Sequence, residues 1–233
     1  MEICNVLDKG YVRLINVMGS DIDVANAARV SYDKASSLDE NGNLLDKDKK
    51  LVDFLWREEH TSPFRHCVLS FEVYSPLFVA RQHWKYAVAS TFVDDQNGWN
   101  ESSRRYITEE PEFYIPHVNE WRQAPENSKQ GSGNIVDDYT GAKFMKALQD
   151  FCALGESAYE EALRDGICAE QARLFLPAYG MYVRYRWTTS LHGVMHFLAQ
   201  RLSHDAQVEI QQYAHAILKL SEKHFPYSIG LIT

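Results

Sequence analysis

Cysteine is scarce in this sequence, and its spacing is not that of a ligand set. The four cysteines at positions 4, 67, 152 and 168 form no CxxC pair, so we expect neither a zinc knuckle nor a disulfide framework. No apolar run approaches the roughly 18 residues of a membrane-spanning helix. Residues 1–5 lack the basic and apolar regions of a signal peptide. These absences predict a protein of the reducing cytoplasm with no membrane partner.

An excess of positive charge is also missing. The chain has 24 Lys and Arg against 32 Asp and Glu, a net charge of -8, which argues against the broad basic surface of a general nucleic-acid binder. A few arginines around one small anion are still compatible with this charge. Hydrophobic residues make up 45% and charged residues 24%, which is ordinary usage for a globular protein. At about 150 residues per domain, the 233 residues predict a single domain over residues 1–233.

Hydrophobic patterning predicts a mixed α+β fold. Alternation of apolar and polar residues indicates strands, and apolar residues three or four apart indicate helices. We predict an antiparallel sheet with the helices packed on one side. Loops are expected at residues 91–100, where Asn97-Gly98 is a turn signal, and at residues 123–139. The predicted strands cover residues 11–18, 66–74 and 181–188, and the predicted helices cover residues 21–30, a segment opened by Asp46, a segment opened by Ser75-Pro76, and residues 144–166, 170–176, 191–202 and 206–224.

Two of the predicted helices carry an apolar face that we expect to meet the core. Cys67, in a predicted strand, and Cys152, on the long helix, are also expected to be core residues, because neither has a basic sequence neighbour that would mark a reactive thiolate. The residues of the two faces are Leu51, Phe54 and Leu55 on the helix opened by Asp46, and Phe144, Leu148, Phe151, Ala158, Ala162 and Leu163 on the long helix.

The first candidate site is the polar segment Asn100-Glu101-Ser102-Ser103-Arg104-Arg105-Tyr106. Its two hydroxyls and two guanidinium groups suit a phosphate monoester, because arginine offers a two-pronged donor and serine serves the remaining oxygens. The same spacing also fits a solvated polar loop. Arg173, three residues after Glu170, is either a salt-bridge partner or a site residue. Arg201, at the end of an apolar helix, is either a helix-dipole partner or an active-site cation.

A metal site is the weakest of the candidates. His192 and His196 stand four residues apart and would share one face of a helix. A zinc site needs further ligands, and only His204 or Asp205 stands near enough in sequence to be considered. We therefore predict that the protein holds no metal.

Seven segments together resemble the flavin-dependent thymidylate synthases, in that family's order from Ala27 to about Phe225. Each short motif is weak alone, whereas seven in order are specific. The segments are Ala27-Ala28-Arg29-Val30-Ser31-Tyr32; His60-Thr61-Ser62-Pro63-Phe64-Arg65-His66; Ser75-Pro76-Leu77-Phe78-Val79-Ala80-Arg81-Gln82; Asn100-Glu101-Ser102-Ser103-Arg104-Arg105-Tyr106; Trp121-Arg122 with Asn127-Ser128-Lys129-Gln130-Gly131-Ser132; Glu170-x-x-Arg173-x-x-Leu176-Pro177; and Arg201 with Ala206-Gln207-Val208-Glu209-Ile210-Gln211-Gln212-Tyr213.

The resemblance implies a methyltransferase of nucleotide biosynthesis that forms dTMP. Members of the family transfer a one-carbon unit from methylenetetrahydrofolate to C5 of dUMP, with FAD reduced by NADPH as the hydride donor. They need no cysteine nucleophile, and they are homotetramers with active sites shared between subunits. The implied cofactor is therefore FAD, and the implied partners are dUMP, the folate, NADPH and further copies of the same chain, without nucleic acid.

The same resemblance implies the residues of two binding sites and no metal ligands. Arg201 is the implied catalytic residue, at the pyrimidine carbonyls. The implied dUMP-binding residues are Gln82, His83, Trp84, Lys85, Glu101, Ser102, Ser103, Arg104, Arg105, Arg173 and Arg201. The implied FAD-binding residues are Ser62, Lys85, Tyr86, Ala87, Glu101, Ser190, His192 and His196.

The sequence departs from the family mainly on the flavin side. The family's Arg-His-Arg falls on Lys85-Tyr86-Ala87, and its flavin-contacting Asn, Arg and Asn fall on Ser190, His192 and His196. An inserted loop around residues 91–99 separates Ser90 from Asn100. Two alternatives therefore stay open, which are a related C5 modification of a pyrimidine nucleotide, such as hydroxymethylation, and a nucleotide-binding protein that has lost flavin.

Overall fold

The computed structural model describes residues 2–88, 98–103, 110–126 and 131–232. Within these ranges the chain forms a five-stranded antiparallel sheet in the order β1-β2-β3-β5-β4, and no helix there is long and apolar enough to cross a membrane. The strands are β1 (Glu2–Val6), β2 (Gly10–Met18), β3 (Val68–Pro76), β4 (Gly98–Glu101) and β5 (Tyr182–Ser190). The helices are α1 (Asp21–Arg29), α2 (Asp46–Arg57), α3 (Leu77–Val88), α4 (Asp138–Arg164), α5 (Ala169–Ala172), α6 (Leu191–Arg201), α7 (Val208–Glu222) and α8 (Pro226–Gly230).

The sheet has one apolar and one polar face, because side chains alternate along each strand. On β5, Tyr185 and Trp187 are buried, whereas Arg184 and Arg186 are exposed. Trp187 stands opposite Phe71 of β3, and their rings stack with centroids 5.8 Å apart. Helices α3, α6 and α7 pack on the apolar face. The predicted α+β fold with helices on one side is confirmed.

Strand β4 lies where the sequence predicted a loop over residues 91–100, so this part of the prediction was wrong. Gly98 pairs with Thr188 and Glu101 pairs with Tyr185. Without β4, strand β5 would present an unpaired edge of N–H and C=O groups. Pairing with a strand that is distant in sequence cannot be deduced from a local turn signal. The turn signal at Asn97 and residues 91–97 of the insertion lie outside the described residues.

The expected apolar faces of two helices were partly wrong. On α4, Phe144 and Phe151 are exposed, Phe151 by 58%, whereas Cys152 is buried as predicted. On α2, Phe54 is exposed and Leu55 is buried. The helical period locates the helices correctly, but it does not reveal which side of a helix meets the rest of the chain.

The loop that was predicted to extend over residues 123–139 ends at residue 137, two residues earlier than predicted. Helix α4 begins at Asp138, and the Asp137 carboxylate accepts a hydrogen bond from the Thr140 N–H at 2.9 Å. This side-chain bond satisfies one of the N–H groups that a helix start leaves unpaired. At its other end, α4 is followed by Gly166, whose φ of +83° suits a helix-terminating glycine.

Helix α4 packs closely against the segment that carries Arg173. At Gly155, an added methyl group would lie 2.7 Å from the main-chain oxygen of Phe175 and 2.8 Å from Cδ of Pro177. No real side chain fits at such distances without movement of the main chain. Gly155 therefore lets α4 support the 3-10 turn Arg173–Phe175 directly.

We expect Gly155→Ala to lower the free energy of unfolding by about 1–3 kcal/mol, because the methyl group overpacks a backbone contact. The gain in helix propensity, about 1 kcal/mol, offsets only part of this loss. Gly230→Ala is the matched control, since nothing lies within 4 Å of an added methyl group there. Urea unfolding compares the two variants. Equal stability of both would contradict the close packing of α4.

Candidate functional site

A cleft of about 1010 Å³ lies beside the polar face of β5. It brings together residues 101–103 at the end of β4, Arg173 of the turn after α5, and Arg184 of β5. We call it the β4–β5 cleft. Four of the predicted dUMP-binding residues line it, although Arg173 stands in a different part of the sequence from the other three. The predicted Arg104 and Arg105 lie outside the described residues.

Main-chain pairing beyond β4 positions the serines of the cleft. The N–H of Ser102 donates to the carbonyl of Arg184 at 2.8 Å, and the Ser102 Oγ accepts from the N–H of Arg184 at 3.1 Å. Arg173 donates from Nε to the carbonyl of Glu170 at 3.2 Å. These bonds leave the Ser102 hydroxyl hydrogen and the other N–H groups of Arg173 as donors. Such donors suit an anionic oxygen.

The lining of the cleft also includes a carboxylate that already accepts a hydrogen bond. Glu112 accepts a hydrogen bond from the Tyr74 hydroxyl at 2.6 Å and lies 3.9 Å from the Lys9 Nζ. The guanidinium of Arg184 lies 5.7 Å from the centre of the Tyr74 ring, in cation–π range. Lys9, Arg173 and Arg184 are the cationic side chains among the residues that line the cleft, and Lys9 lies beside Glu112.

Glu101 connects the cleft to the core. Burial raises the pKa of its carboxyl, while a hydrogen bond with Trp99 and the charge of Arg81 lower it. The Trp99 ring stacks on Tyr185, with centroids 4.1 Å apart. Because its pKa is raised, Glu101 takes up a proton nearer to neutral pH than a fully hydrated glutamate does.

Arg201 ends α6 directly over the Tyr86 ring. Its Cζ lies 5.3 Å from the ring centre, and its Nε is buried with no hydrogen-bond partner in the described part of the chain. An unmet buried donor is costly unless a ligand meets it. An arginine that served only the helix dipole would keep its head group in water. The geometry favours a ligand-binding cation.

In the single chain the His83 side chain is a core residue, and its predicted contact with dUMP stays a prediction. This side chain is 1% exposed and packs against Trp187 and Phe197. Its Nδ1 lies 2.9 Å from the Tyr185 hydroxyl. Burial, followed by the charge of Arg201, lowers the pKa of His83 to about 3. His83 is therefore a neutral core residue that anchors α3.

The other predicted dUMP contacts on α3 lie outside the lining of the β4–β5 cleft. Gln82 donates from Nε2 to the Oε1 of Gln207 at 2.6 Å. Trp84 and Lys85 are exposed. A single chain therefore brings residues 101–103 to Arg173 but does not bring these three α3 residues to the same cavity.

The predicted flavin-side residues are divided by burial. Ser190 caps α6, its Oγ accepting from the Gly193 N–H at 3.2 Å. The ring of His192, also buried, lies 6.4 Å from that of Trp56. Tyr86 is 6% exposed. The single chain gives these three side chains packing roles, and their predicted contact with FAD stays a prediction. The predicted FAD-binding residues with surface open to solvent are Ser62, Lys85, Ala87, Glu101 and His196.

One guanidinium nitrogen on this side suits an anionic cofactor. The Nε of Arg65, in the 3-10 turn Ser62–His66, is buried and has no partner among the described residues. Arginine donors of this kind suit the diphosphate of FAD. The residues present therefore fit FAD.

Sequence reasoning missed two arginines of these sites. Arg65 stands inside the quoted His60–His66 motif, but only the structure reveals its unmet buried donor. Arg184 alternates with buried residues along β5, and that alternation was the signal for a basic residue beside the cleft. Its role depends on the neighbours that β4 and the Arg173 turn supply.

Within the described ranges, no group of three or more His, Cys, Asp or Glu is arranged to hold a metal. The absence of a metal stays a prediction, because this geometry does not test it. The core positions of Cys67 and Cys152 are confirmed. Burial raises the pKa of the Cys67 thiol to about 12, so this thiol is not a nucleophile at neutral pH.

Comparison with known proteins gives the class to which this fold and site belong. The family described as thymidylate synthase complementing protein matches residues 13–227. A flavin-dependent thymidylate synthase from Thermus thermophilus is 39% identical over 221 residues, covering 95% of this chain and 74% of that protein. The enzyme of the same name from Thermotoga neapolitana is 37% identical over 223 residues, covering 96% and 90%. The chain belongs to the flavin-dependent thymidylate synthase family.

A solved structure shares the fold. The crystal structure of the UMP/dUMP methylase PolB from Streptomyces cacaoi, bound with 5-Br dUMP, superposes with a TM-score of 0.78 at 27% sequence identity. The likeness covers 97% of this chain and 96% of PolB. The antiparallel sheet with its helices is therefore the architecture of a known nucleotide methylase.

We expect His83→Phe to flatten the acid limb of the stability curve. The ordinary pKa of histidine is 6.5 and that of His83 is about 3, so between these values the unfolded state binds a proton that the folded state excludes. Stability therefore falls as the pH falls below about 6.5, by up to about 1.4 kcal/mol per pH unit. The phenylalanine variant lacks this pH-dependent contribution of His83 to the free energy of unfolding.

Urea unfolding between about pH 4 and pH 7 measures this slope. His215→Phe is the matched control, because His215 is exposed on α7 and removal of an exposed histidine leaves the buried titration in place. A His83→Phe variant with the same slope as the parent would rule out the buried neutral histidine.

Proposed function

We propose that this protein forms dTMP from dUMP. It transfers a one-carbon unit from methylenetetrahydrofolate to C5 of dUMP, with reduced FAD as the hydride donor and NADPH as the reductant of FAD. Membership of the flavin-dependent thymidylate synthase family supports this assignment. The observation that carries it is the β4–β5 cleft, in which Ser102 and Ser103 of one family motif meet Arg173 of another.

In this proposal the nucleotide phosphate binds at the serine and arginine end of the cleft. Ser102, Ser103 and Arg173 donate to its oxygens, and Arg104 and Arg105 extend the same set. Charge-assisted bonds from arginine to phosphate are stronger than neutral bonds. The net charge of -8 is no obstacle, because these cations are concentrated at one place.

Arg201 acts on the pyrimidine ring. Its guanidinium donates to the ring carbonyls, where negative charge grows as C5 becomes nucleophilic. The Tyr86 ring beneath it fixes the plane of the guanidinium, and the neutral His83 nearby adds no competing charge. A fixed cation in a water-poor site stabilises developing charge without reorganisation.

FAD, when bound, supplies the hydride that completes the methyl group. Ser62, Arg65, Lys85 and His196 are the residues proposed to hold it, and Glu101 would contact both the cofactor and the nucleotide. Lys85 retains a positive charge at the first position of the family's Arg-His-Arg. Burial, then the charge of Arg201, lowers the pKa of His196, so His196 contributes as a neutral imidazole.

The proposed active form is a homotetramer in which neighbouring chains complete each site. One reason is that the α3 residues and the cleft residues, predicted to bind one nucleotide, do not line one cavity in a single chain. A second reason is the exposed apolar surface of Leu154 on α4 and of Leu174 and Tyr179 near Arg173, since large exposed apolar patches mark association surfaces. A cytoplasmic location stays a prediction.

UMP is the second candidate substrate, because the structurally similar PolB is described as a UMP/dUMP methylase. The test is to incubate the purified chain with dUMP or UMP, methylenetetrahydrofolate and NADPH. We expect the purified protein to show flavin absorbance and the reaction product to have the mass of dTMP. A product with the mass of a hydroxymethylated nucleotide would show that the protein carries out the related C5 modification and not methylation. A colourless protein that binds dUMP without forming product would show that it is a nucleotide-binding protein and not an enzyme.

We expect Arg201→Ala to slow turnover by about a hundredfold or more, as for loss of a single oxyanion-type donor. The binding of dUMP should suffer less, because a contact that strengthens in the transition state contributes more to rate than to ground-state affinity. Arg201→Lys should restore little, since a point charge does not reproduce a planar, two-pronged donor. Single-turnover flavin oxidation and thermal unfolding are measured on the same variants. Lower stability with an unchanged rate would remove Arg201 from the mechanism.

A further inference from the structure

We propose that Gln207 and Glu209 fix the orientation of the Gln82 carboxamide, so that its carbonyl oxygen is presented to the nucleotide. Both are positioning residues, because they act through Gln82 and do not touch the substrate. The inference rests on the proposed function, since it takes Gln82 to be a nucleotide contact.

A continuous set of side-chain bonds leads from a buried ion pair to Gln82. The Glu209 carboxylate, 5% exposed, pairs with the Arg122 guanidinium. Its Oε2 accepts from the Nε2 of Gln207 at 2.8 Å. The Oε1 of Gln207 accepts from the Nε2 of Gln82 at 2.6 Å. We call this series the Arg122–Gln82 relay.

The chemistry of the carboxylate sets the direction of every bond in the relay. A carboxylate paired with arginine only accepts hydrogen bonds, so Gln207 must turn its NH2 group toward Glu209. Its carbonyl oxygen then faces Gln82, which must turn its own NH2 group toward Gln207. The carbonyl oxygen of Gln82 is the end left for a ligand. An isolated glutamine would present either end.

Main-chain pairing holds Arg122, and with it the start of the relay. Arg122 bridges to Ile135, and its Nη1 donates to the carbonyl of Glu120 at 3.1 Å. The N–H of Val136 donates to the carbonyl of Trp121 at 2.9 Å. The relay thus gives a role to the Trp121-Arg122 segment, which shares no residue with the β4–β5 cleft.

The partner of an exposed carbonyl oxygen must be a hydrogen-bond donor. On dUMP the donors are the sugar 3′-hydroxyl and the N3–H of the uracil ring. Both offer the same chemistry to Gln82, and two analogues distinguish them: 2′,3′-dideoxyuridine monophosphate lacks the hydroxyl, and N3-methyl-dUMP lacks the ring donor. A nucleotide with an acceptor at the recognised position binds poorly, because two acceptors then face each other.

The test measures dUMP affinity of the FAD-containing full chain by calorimetry. We expect Gln82→Met to weaken binding by about five- to tenfold, the effect of one neutral hydrogen bond. Gln207→Met should weaken binding measurably but less, because a Gln82 that is no longer oriented still presents its carbonyl oxygen part of the time. The double variant should be no weaker than Gln82→Met alone, because Gln207 acts only through Gln82. Gln212→Met, at an exposed position of α7, is the matched control and should bind as the parent does. Glu209→Gln should weaken binding like Gln207→Met, after correction for its thermal stability.

The outcomes separate this inference from the proposed function. If Gln82→Met binds dUMP as tightly as the parent, Gln82 is not a nucleotide contact, and that part of the proposed function fails together with the relay. If Gln82→Met weakens binding while Gln207→Met matches the Gln212→Met control, the relay alone is overturned. Additive losses in the double variant would also overturn it. The analogue that lacks the donor recognised by Gln82 should bind to the parent and to Gln207→Met with equal affinity. If both analogues bind to Gln207→Met more weakly than to the parent by the same factor as dUMP does, the contact between the Gln82 carbonyl and a nucleotide donor is refuted.

Discussion

Strand β5 is hydrogen-bonded on both of its sides, and the core and the cleft both depend on this double pairing. Its inward residues, Tyr185 and Trp187, pack against Phe71 and the helices. On the same strand, Arg184 faces outward and bonds through its main chain to Ser102. Because successive side chains point to opposite faces, a shift of register by one residue would exchange the two sets. The packing of the interior therefore fixes the position of the serine end of the cleft.

Much of the fold was predictable because its signals are local. The strand over residues 11–18 and the helix opened by Asp46 follow from alternation and apolar spacing, and the structure confirms both. Strand β4 was missed, because its formation depends on hydrogen bonding to the edge of β5, which is distant in sequence. The apolar side of α4 was misjudged because the small residue Gly155, and not the large Phe151, marks where the helix meets the chain.

The residues of the candidate site also fall into those that the sequence predicted and those that only the structure reveals. Ser102, Ser103 and Arg173 were identified from motifs, and the structure brings them to one cleft. His83 stands beside Gln82 in sequence, but neighbours on a helix face different directions, and His83 turns into the core. The importance of Arg65 and Arg184 rests on burial and on neighbours that come from distant segments. Such roles are properties of the assembled chain and have no counterpart in a short motif.

The pairing of β3 with β5 also has a consequence for how the molecule is made. Ser70 bonds to Thr188, 118 positions later in the chain, so the central contact of the sheet is among its most non-local. Contacts between such distant residues slow folding. During synthesis the edge of β3 stays unpaired until β5 has left the ribosome, and the apolar face of the sheet stays partly uncovered until α6 and α7 follow, which exposes both to wrong partners. The cleft, built on the far side of β5, can only be one of the last parts of the protein to form.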